Sequence, residues 1–201
     1  MSILSGLGGL IINFAVFFVC LSVHEASHAL AAYKLGDPTS KIDGRLSLNP
    51  LRHIDLFGTI LLPLFLIISG FPAFGYAKPV MVNINNFQKP PRDNFLTALA
   101  GPASNLIFAF LVGILISIFP ALNFLTILVQ VNIILALFNL LPIPPLDGSK
   151  VWHLILSEET YLTLERFGPY ILIAFILFMG SAADYLVVLT YSISNTFTHL
   201  F

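Results

Sequence analysis

The stretch FAVFFVCLSVHEASHALAAY, residues 14–33, places potential metal ligands inside an apolar run long enough to cross a bilayer. His24 and His28 are four residues apart, so a helix brings both imidazoles to one face, one turn apart. Two imidazoles at this spacing can bind one zinc ion, and Glu25 beside them can act as general base on water. Polar groups inside an apolar helix are costly unless they are paired or functional. We therefore favour a catalytic metal site over a cluster that only holds helices together.

The composition indicates a membrane protein. The chain has 201 residues, of which 57% are hydrophobic and 9% are charged, whereas soluble domains carry about 25% charged residues. A length of this order suits a single domain, residues 1–201. The net charge of −1 gives no reason to expect a nucleic-acid partner. We expect an all-α helix bundle in contact with the lipid bilayer.

Five apolar stretches can be assigned to membrane segments. Four of them are long enough to span a bilayer, and the second is doubtful because glycines and prolines interrupt it. The five stretches cover about residues 4–33, 56–74, 95–119, 121–141 and 168–191. The sequence thus predicts four to five membrane segments, with core helices at about 5–33, 95–119 and 121–141.

The basic residues indicate that the second segment is re-entrant. None of the nine precedes Lys34; four follow the first segment and three follow the second. If the second segment crossed, these groups would lie on opposite faces, against the positive-inside tendency. Residues 75–87 alternate weakly, and they predict a short β-hairpin-like connector that must pack on protein or lie near the interface.

The spacing also predicts the depth of the metal. His24 lies ten residues before Lys34, which is about 15 Å along a helix. We therefore expect the site well inside the bilayer, nearer the basic, cytoplasmic face. The expected location is a prokaryotic cytoplasmic membrane.

A third protein ligand is needed, because hydrolytic zinc sites commonly use three. Asp147 stands out among the acids and histidines, since it follows prolines that end the fourth segment in NLLPIPPLDG, residues 139–148. It could instead cap the helix that follows. The candidates that remain open on spacing alone are His53, Asp55, Asp147, Glu158 and Asp184.

Three motifs together carry a family resemblance. HEASH at 24–28, GPASN at 101–105 and NLLPIPPLDG at 139–148 lie in three separate apolar segments. The combination resembles the site-2 protease family of intramembrane zinc metalloproteases, in a compact subgroup without PDZ or CBS domains. Residues 36–55 also resemble this subgroup, and we expect them to form an ordered connector on the basic face.

The resemblance implies a role for each motif residue. His24, His28 and Asp147 would ligate one Zn²⁺ per chain, and Glu25 would be the catalytic glutamate. Asn139 would orient substrate or polarise the scissile carbonyl, and Asn105 would support helix packing near the site.

The function implied is zinc-dependent hydrolysis of peptide bonds within or next to transmembrane helices of membrane-protein substrates. Two other classes of function remain as alternatives. One is a membrane zinc-binding or transport protein, and the other is a catalytically inactive scaffold that binds helices.

Overall fold

A computed structural model describes residues 3–69, 78–178 and 180–200. Seven α-helices and several shorter helical turns follow one another along these residues. The α-helices are α1 (Ile3–Lys34), α2 (Thr39–Ile42), α3 (Leu62–Ile68), α4 (Pro90–Ile118), α5 (Thr126–Asn139), α6 (Glu158–Phe178) and α7 (Ser181–Thr198). A π-helical stretch, Leu56–Leu61, leads into α3, and 3-10 helices occur at Pro50–Arg52, Ile84–Asn86, Pro120–Leu125 and Asp147–Leu154.

The all-α membrane bundle predicted from composition is confirmed. Within the described residues, four helical stretches are long and apolar enough to cross a bilayer, and they are Ile12–Lys34, Pro90–Ile118, Pro120–Asn139 and Glu158–Phe178. The protein is therefore an integral, multi-pass membrane protein.

Proline positions shift the helix bounds from those predicted. α4 begins at Pro90 rather than near residue 95, because proline is pre-organised for the first helical position. The fourth segment begins with the 3-10 helix Pro120–Leu125, so α5 itself is shorter than the predicted range 121–141. It ends at Asn139, shortly before Pro142, since the residue preceding a proline disfavours the helical conformation.

Three helices, α1, α4 and α5, form the core around the site. Successive contacts, from His28 to Thr97 and from Cys20 to Asn105, show that α1 and α4 run in opposite directions. α5 packs on α4, with Asn132 bonded to Asn105. The apolar part of the α4–α5 interface consists of Ala109, Val112, Ile116, Val129 and Ile133.

The predicted fifth segment, 168–191, is wrong as a single helix. α6 begins ten residues earlier, at Glu158, and ends at Phe178, and α7 begins at Ser181. Gly180 adopts a φ of +41°, a left-handed conformation that glycine adopts readily and that breaks the helix. α7 then packs on α4, where Phe197 lies so close to Gly113 that a Cβ there would meet the Phe197 Cβ at 2.6 Å.

Two residues that flank the second apolar segment, His53 and Lys78, lie side by side. The backbone N–H of Lys78 donates to the carbonyl of His53 at 3.0 Å. Asp55 starts the segment by capping the Gly58 N–H at 2.7 Å. A re-entrant segment must be flanked by residues on the same side of the membrane, and this contact meets that requirement.

The predicted β-hairpin is wrong over the residues that the structure describes. Residues 75–77 lie outside them, and residues 78–87 contain no strand but an irregular stretch followed by the 3-10 helix Ile84–Asn86. Pro79 has no N–H for a strand ladder. The N–H groups of Val80 and Asn83 donate to the side chains of Glu25 and Asp37 instead.

We expect Asp43→Cys and Lys89→Cys to react with a membrane-impermeant maleimide from the same side. These exposed residues follow the first and second apolar segments, and the His53–Lys78 contact places those connectors together. The measurement compares labelling in intact and inverted vesicles. Asn123→Cys, exposed at the other end of the bundle, is the control and should label from the opposite side. Labelling of Asp43→Cys and Lys89→Cys from opposite sides would exclude a re-entrant segment.

Candidate metal centre

The two histidines of HEASH face each other across one turn of α1. Both side chains are buried, and their ring centroids are 4.6 Å apart. The Nε2 atoms of His24 and His28 are separated by 3.0 Å. This is the arrangement that a spacing of four residues predicts on a helix.

Asp147 is the third member of this group and lies in the turn that follows α5. Its Oδ2 lies 3.1 Å from Nε2 of His24 and 3.2 Å from Nε2 of His28. The residue is the first of the 3-10 helix Asp147–Leu154, while Leu146 occupies the cap position. The alternative role of Asp147 as a helix cap is therefore not what the structure shows.

The turn reaches the histidines because it folds back against the end of α5. A Cβ at Gly148 would collide with the Leu140 carbonyl and would meet the carbonyl oxygen of Leu141 at 2.7 Å. Glycine at this position lets the backbone approach closely enough to carry Asp147 inward.

The donor set fits a zinc ion. A tetrahedral ion with bonds of about 2.0–2.1 Å holds its ligand atoms about 3.3 Å apart, close to the separations of these three atoms. Imidazole nitrogen and carboxylate oxygen are usual zinc donors. Within the described residues, these three form the one group of histidine, cysteine or acidic side chains able to hold a metal.

Each histidine is oriented through its second ring nitrogen. The Nδ1–H of His28 donates to the carbonyl of Thr97 at 2.8 Å, and that of His24 donates to Oδ1 of Asn105 at 2.6 Å. With Nδ1 carrying the proton, Nε2 of each ring is left as the metal-binding atom.

Asn105 belongs to a buried amide chain that links the three core helices. Its Nδ2 donates to the Cys20 carbonyl at 3.1 Å and to Oδ1 of Asn132 at 2.6 Å. Asn132 in turn donates to the Leu128 carbonyl at 2.8 Å and to Sγ of Cys20 at 3.0 Å. Both asparagines are completely buried, and the bonds on each side fix which amide atom faces which partner.

The sequence interpretation missed Asn132. A signal was present, because an amide within the apolar run of α5 must find a partner inside the bundle. The identity of that partner was not readable, since it lies 27 residues away on another helix.

Gly101 provides the space for the imidazoles. A Cβ at this position would collide with Nε2 of His28 and would lie 2.7 Å from Cε1 of His24. The glycine of GPASN therefore lets α4 pack directly on the face of α1 that carries both ligands.

The other candidate ligands lie elsewhere and have other partners. His53 forms a 2.8 Å hydrogen bond with the Ser47 carbonyl, and Asp55 caps the Gly58 N–H. Glu158 pairs with His153 at 3.0 Å, and Asp184 lies in the first turn of α7. None of the four belongs to the three-ligand group.

Glu25 and Asn139 are both half-buried but have different hydrogen-bond partners. Glu25 is half-buried, and its Oε2 accepts a hydrogen bond from the backbone N–H of Val80 at 3.2 Å. The side chain of Asn139 is also half-buried, and its Nδ2 donates to the Leu135 carbonyl at 3.0 Å, one turn back in α5.

The helix that carries Asp147 is secured through His153. This buried side chain stacks on Tyr161 with ring centroids 4.2 Å apart. Its Nε2 pairs with Glu158 at 3.0 Å, and its Nδ1 accepts from Asn94 at 3.2 Å. These contacts join the Asp147–Leu154 helix to both α6 and α4.

The fold and the site together define a multi-pass membrane protein with two histidines and one aspartate at a candidate metal centre. The chain belongs to peptidase family M50, whose sequence pattern matches residues 12–121 and 117–181. It is thus a member of a family of membrane metalloproteases, as the three motifs predicted.

Individual relatives agree with this assignment. YwhC of Bacillus subtilis, named as a candidate zinc metalloprotease, is 38% identical over 183 residues, which cover 84% of this chain and 80% of YwhC. Rip2 of Mycolicibacterium smegmatis, named in the same way, is 33% identical over 80% of this chain, which spans 63% of Rip2. No solved structure matches the chain.

We expect Gly101→Ala to reduce zinc binding strongly, because the added methyl group would displace His28 and press on His24. The measurement is zinc per chain after dialysis against a weak chelator. Ala103→Val, on the exposed side of the same helix, is the matched control and should keep its zinc. Equal zinc in both variants would show that the close approach of α4 is unnecessary.

Replacing Asn132 with leucine should weaken zinc affinity by about 10–100-fold, the usual effect of losing a partner that orients a ligand. Without Asn132, Asn105 loses the acceptor that fixes its amide, and His24 is then oriented less firmly. Competition with a chelator of known affinity measures the change. Asn195→Leu, at an exposed position of α7, should be neutral; an unchanged affinity for Asn132→Leu would contradict the role of the amide chain.

Proposed function

We propose that this protein is an intramembrane zinc metalloprotease that hydrolyses peptide bonds within or next to transmembrane helices of membrane-protein substrates. One observation carries the proposal: Nε2 of His24, Nε2 of His28 and Oδ2 of Asp147 lie within 3.2 Å of one another. The two histidines flank Glu25 on a helix able to span the bilayer.

Each residue has a defined task in the reaction. One bound zinc ion would supply a Lewis acid that activates water and polarises the scissile carbonyl. His24, His28 and Asp147 would hold the ion. Glu25 accepts a proton from the attacking water on its carboxylate and delivers it to the leaving amine.

Asn139 is proposed to orient the substrate near the scissile carbonyl. Its amide donates to the Leu135 carbonyl in the present structure. Rotation of the side chain would release this donor for a substrate carbonyl, to which a buried hydrogen bond is worth more than in water.

The substrate must unwind locally before it is cut, because a helix engages its own carbonyl groups in hydrogen bonds. Residues 78–83 run beside Glu25.

The active site is proposed to lie nearer the cytoplasmic face of a prokaryotic membrane, with residues 1–201 acting as one domain. All nine basic residues follow the histidines in sequence, and Lys34 ends the helix that carries both ligands. The relatives with matching sequences come from Bacillus and Mycolicibacterium.

The test is cleavage of a single-pass membrane substrate by purified protein in vesicles. Glu25→Gln should keep its zinc and lose activity by at least about 10²-fold, since general base catalysis contributes about 10²–10⁴-fold. His28→Ala should lose both zinc and cleavage, and a chelator should inactivate the wild type.

The outcomes separate the classes of function. Zinc binding with full cleavage by Glu25→Gln would contradict the assigned mechanism. Zinc movement across vesicles without cleavage would indicate a transport protein. Substrate binding without cleavage by zinc-loaded wild type would indicate a scaffold.

A further inference from the structure

The connector after α1 contains a completely buried carboxylate, Asp37. Its Oδ1 accepts from the N–H and hydroxyl of Thr39 at 3.1 and 2.5 Å and from Nδ2 of Asn86 at 2.7 Å. Its Oδ2 accepts the backbone N–H of Asn83 at 2.8 Å. Burial alone would raise the pKa of Asp37, but the hydrogen bonds from Thr39, Asn86 and Asn83 hold that pKa below its ordinary value. The group is therefore a charged acceptor with all its partners in place.

Two of these bonds reach far beyond the local turn. Thr39 is two residues after Asp37, whereas Asn83 and Asn86 are 46 and 49 residues away in the chain. Gly36 adopts a φ of +111° just before Asp37, a conformation that brings the backbone close to residue 86: a Cβ at Gly36 would meet the Asn86 carbonyl at 3.3 Å. The backbone conformation of Gly36 therefore lets this turn pack closely against the second connector.

Residues 78–83, which we call the strap, run from His53 past Glu25 of α1 to Asp37. Lys78 bonds to the His53 carbonyl at one end, and Asn83 bonds to Asp37 at the other. Between these two anchors, the N–H of Val80 donates to Oε2 of Glu25. The segment that contacts Glu25 is thus held by a hydrogen bond on each side of that contact.

The length of the strap between Val80 and Asn83 is similar to the helix rise between Glu25 and Ala32. Asp37 folds back on α1, where its N–H donates to the Ala32 carbonyl. Seven residues of helix separate Glu25 from Ala32, a rise of about 10 Å. The three residues from Val80 to Asn83 span at most about 11 Å when extended. Release of Asn83 would therefore let Val80 leave Glu25.

We propose that Asp37 is a positioning residue for the protease reaction: it anchors the strap so that the Val80 N–H holds the Glu25 carboxylate in one orientation. This inference rests on the proposed function. With Oε2 engaged by the backbone, the Glu25 side chain is restrained and Oε1 remains as its proton acceptor. Asp37 acts only through the strap and does not touch substrate or metal.

A purely local role for Asp37 makes a different prediction. If the carboxylate only stabilised its own turn, removing it and removing the Val80 N–H would have independent effects on kcat. If Asp37 acts through the strap, the two changes share one effect. A double-mutant cycle separates these cases.

The experiment uses full-length protein in vesicles and compares Asp37→Asn, Val80→Pro and the double variant. Asparagine keeps the size of Asp37 but cannot accept on both side-chain atoms. Proline removes the N–H at residue 80 and also fixes φ there. Each single change should lower kcat by about 10–100-fold, the weight of one hydrogen bond to a charged group, with KM and zinc content little changed. The double variant should be no slower than Val80→Pro. Multiplied effects would overturn the proposal.

Matched controls accompany each change. Asp43→Asn makes the same chemical change at an exposed aspartate of the same connector and should retain wild-type kcat. Val80→Ala keeps the N–H and should therefore lose much less kcat than Val80→Pro. Should Val80→Pro lose its zinc, Asn86→Ala replaces it in the cycle. Asn86→Ala removes one donor to Asp37, so combined with Asp37→Asn it should add no further loss; an additional loss would contradict the shared pathway.

Hydrogen exchange gives a readout that does not depend on activity. Peptides covering the strap should exchange faster in Asp37→Asn than in wild type or Asp43→Asn. Unchanged exchange and kcat in Asp37→Asn, with Glu25-dependent cleavage by the wild type, would overturn the role of Asp37 and leave the proposed function standing. A wild type without Glu25-dependent cleavage would overturn the proposed function, and the catalytic role of Asp37 with it.

Discussion

The contact of two imidazoles with one carboxylate in an apolar bundle is the constraint on which the rest of the structure depends. An ionised carboxylate and imidazole nitrogens are costly in a low-dielectric interior unless each lone pair and proton has a partner. His24 and His28 lie on one helix, and Asp147 reaches them from a turn 119 residues after His28. The paths of α1, α4 and α5 have to bring these three groups within hydrogen-bonding distance.

Small residues and amides meet this requirement in different ways. Gly101 and Gly148 remove side chains where backbone must approach closely, one under the imidazoles and the other under the turn of Asp147. Asn105 and Asn132 supply the donors and acceptors that orient His24. Inside a bilayer such bonds have no competition from water, so a buried amide chain can define a single arrangement of three helices.

The second connector shows how a stretch of chain without regular structure can serve a site. The sequence of residues 75–87 alternates weakly and suggested a hairpin, but Pro79 lacks the N–H of a ladder and the neighbouring N–H groups bind acidic side chains. Periodicity records which residues alternate, and it does not record whether an N–H meets a carbonyl or a carboxylate. The same limit applied to the fifth segment. The apolar sequence continues across Gly180, but the helix ends before it and a new helix begins after it.

Sequence by itself determined the class of fold, the spacing of the two histidines, the glutamate beside them and the motif that contains Asp147. These features are local, because a helical repeat, a run of apolar residues and a proline-rich turn are properties of neighbouring residues. Only the tertiary structure decided that Asp147 meets both Nε2 atoms, that Asn132 supports Asn105, and that Asp37 and Glu25 hold one strap. Those pairs are brought together by the packing of separate segments, and no local pattern encodes which distant partner satisfies a buried polar group.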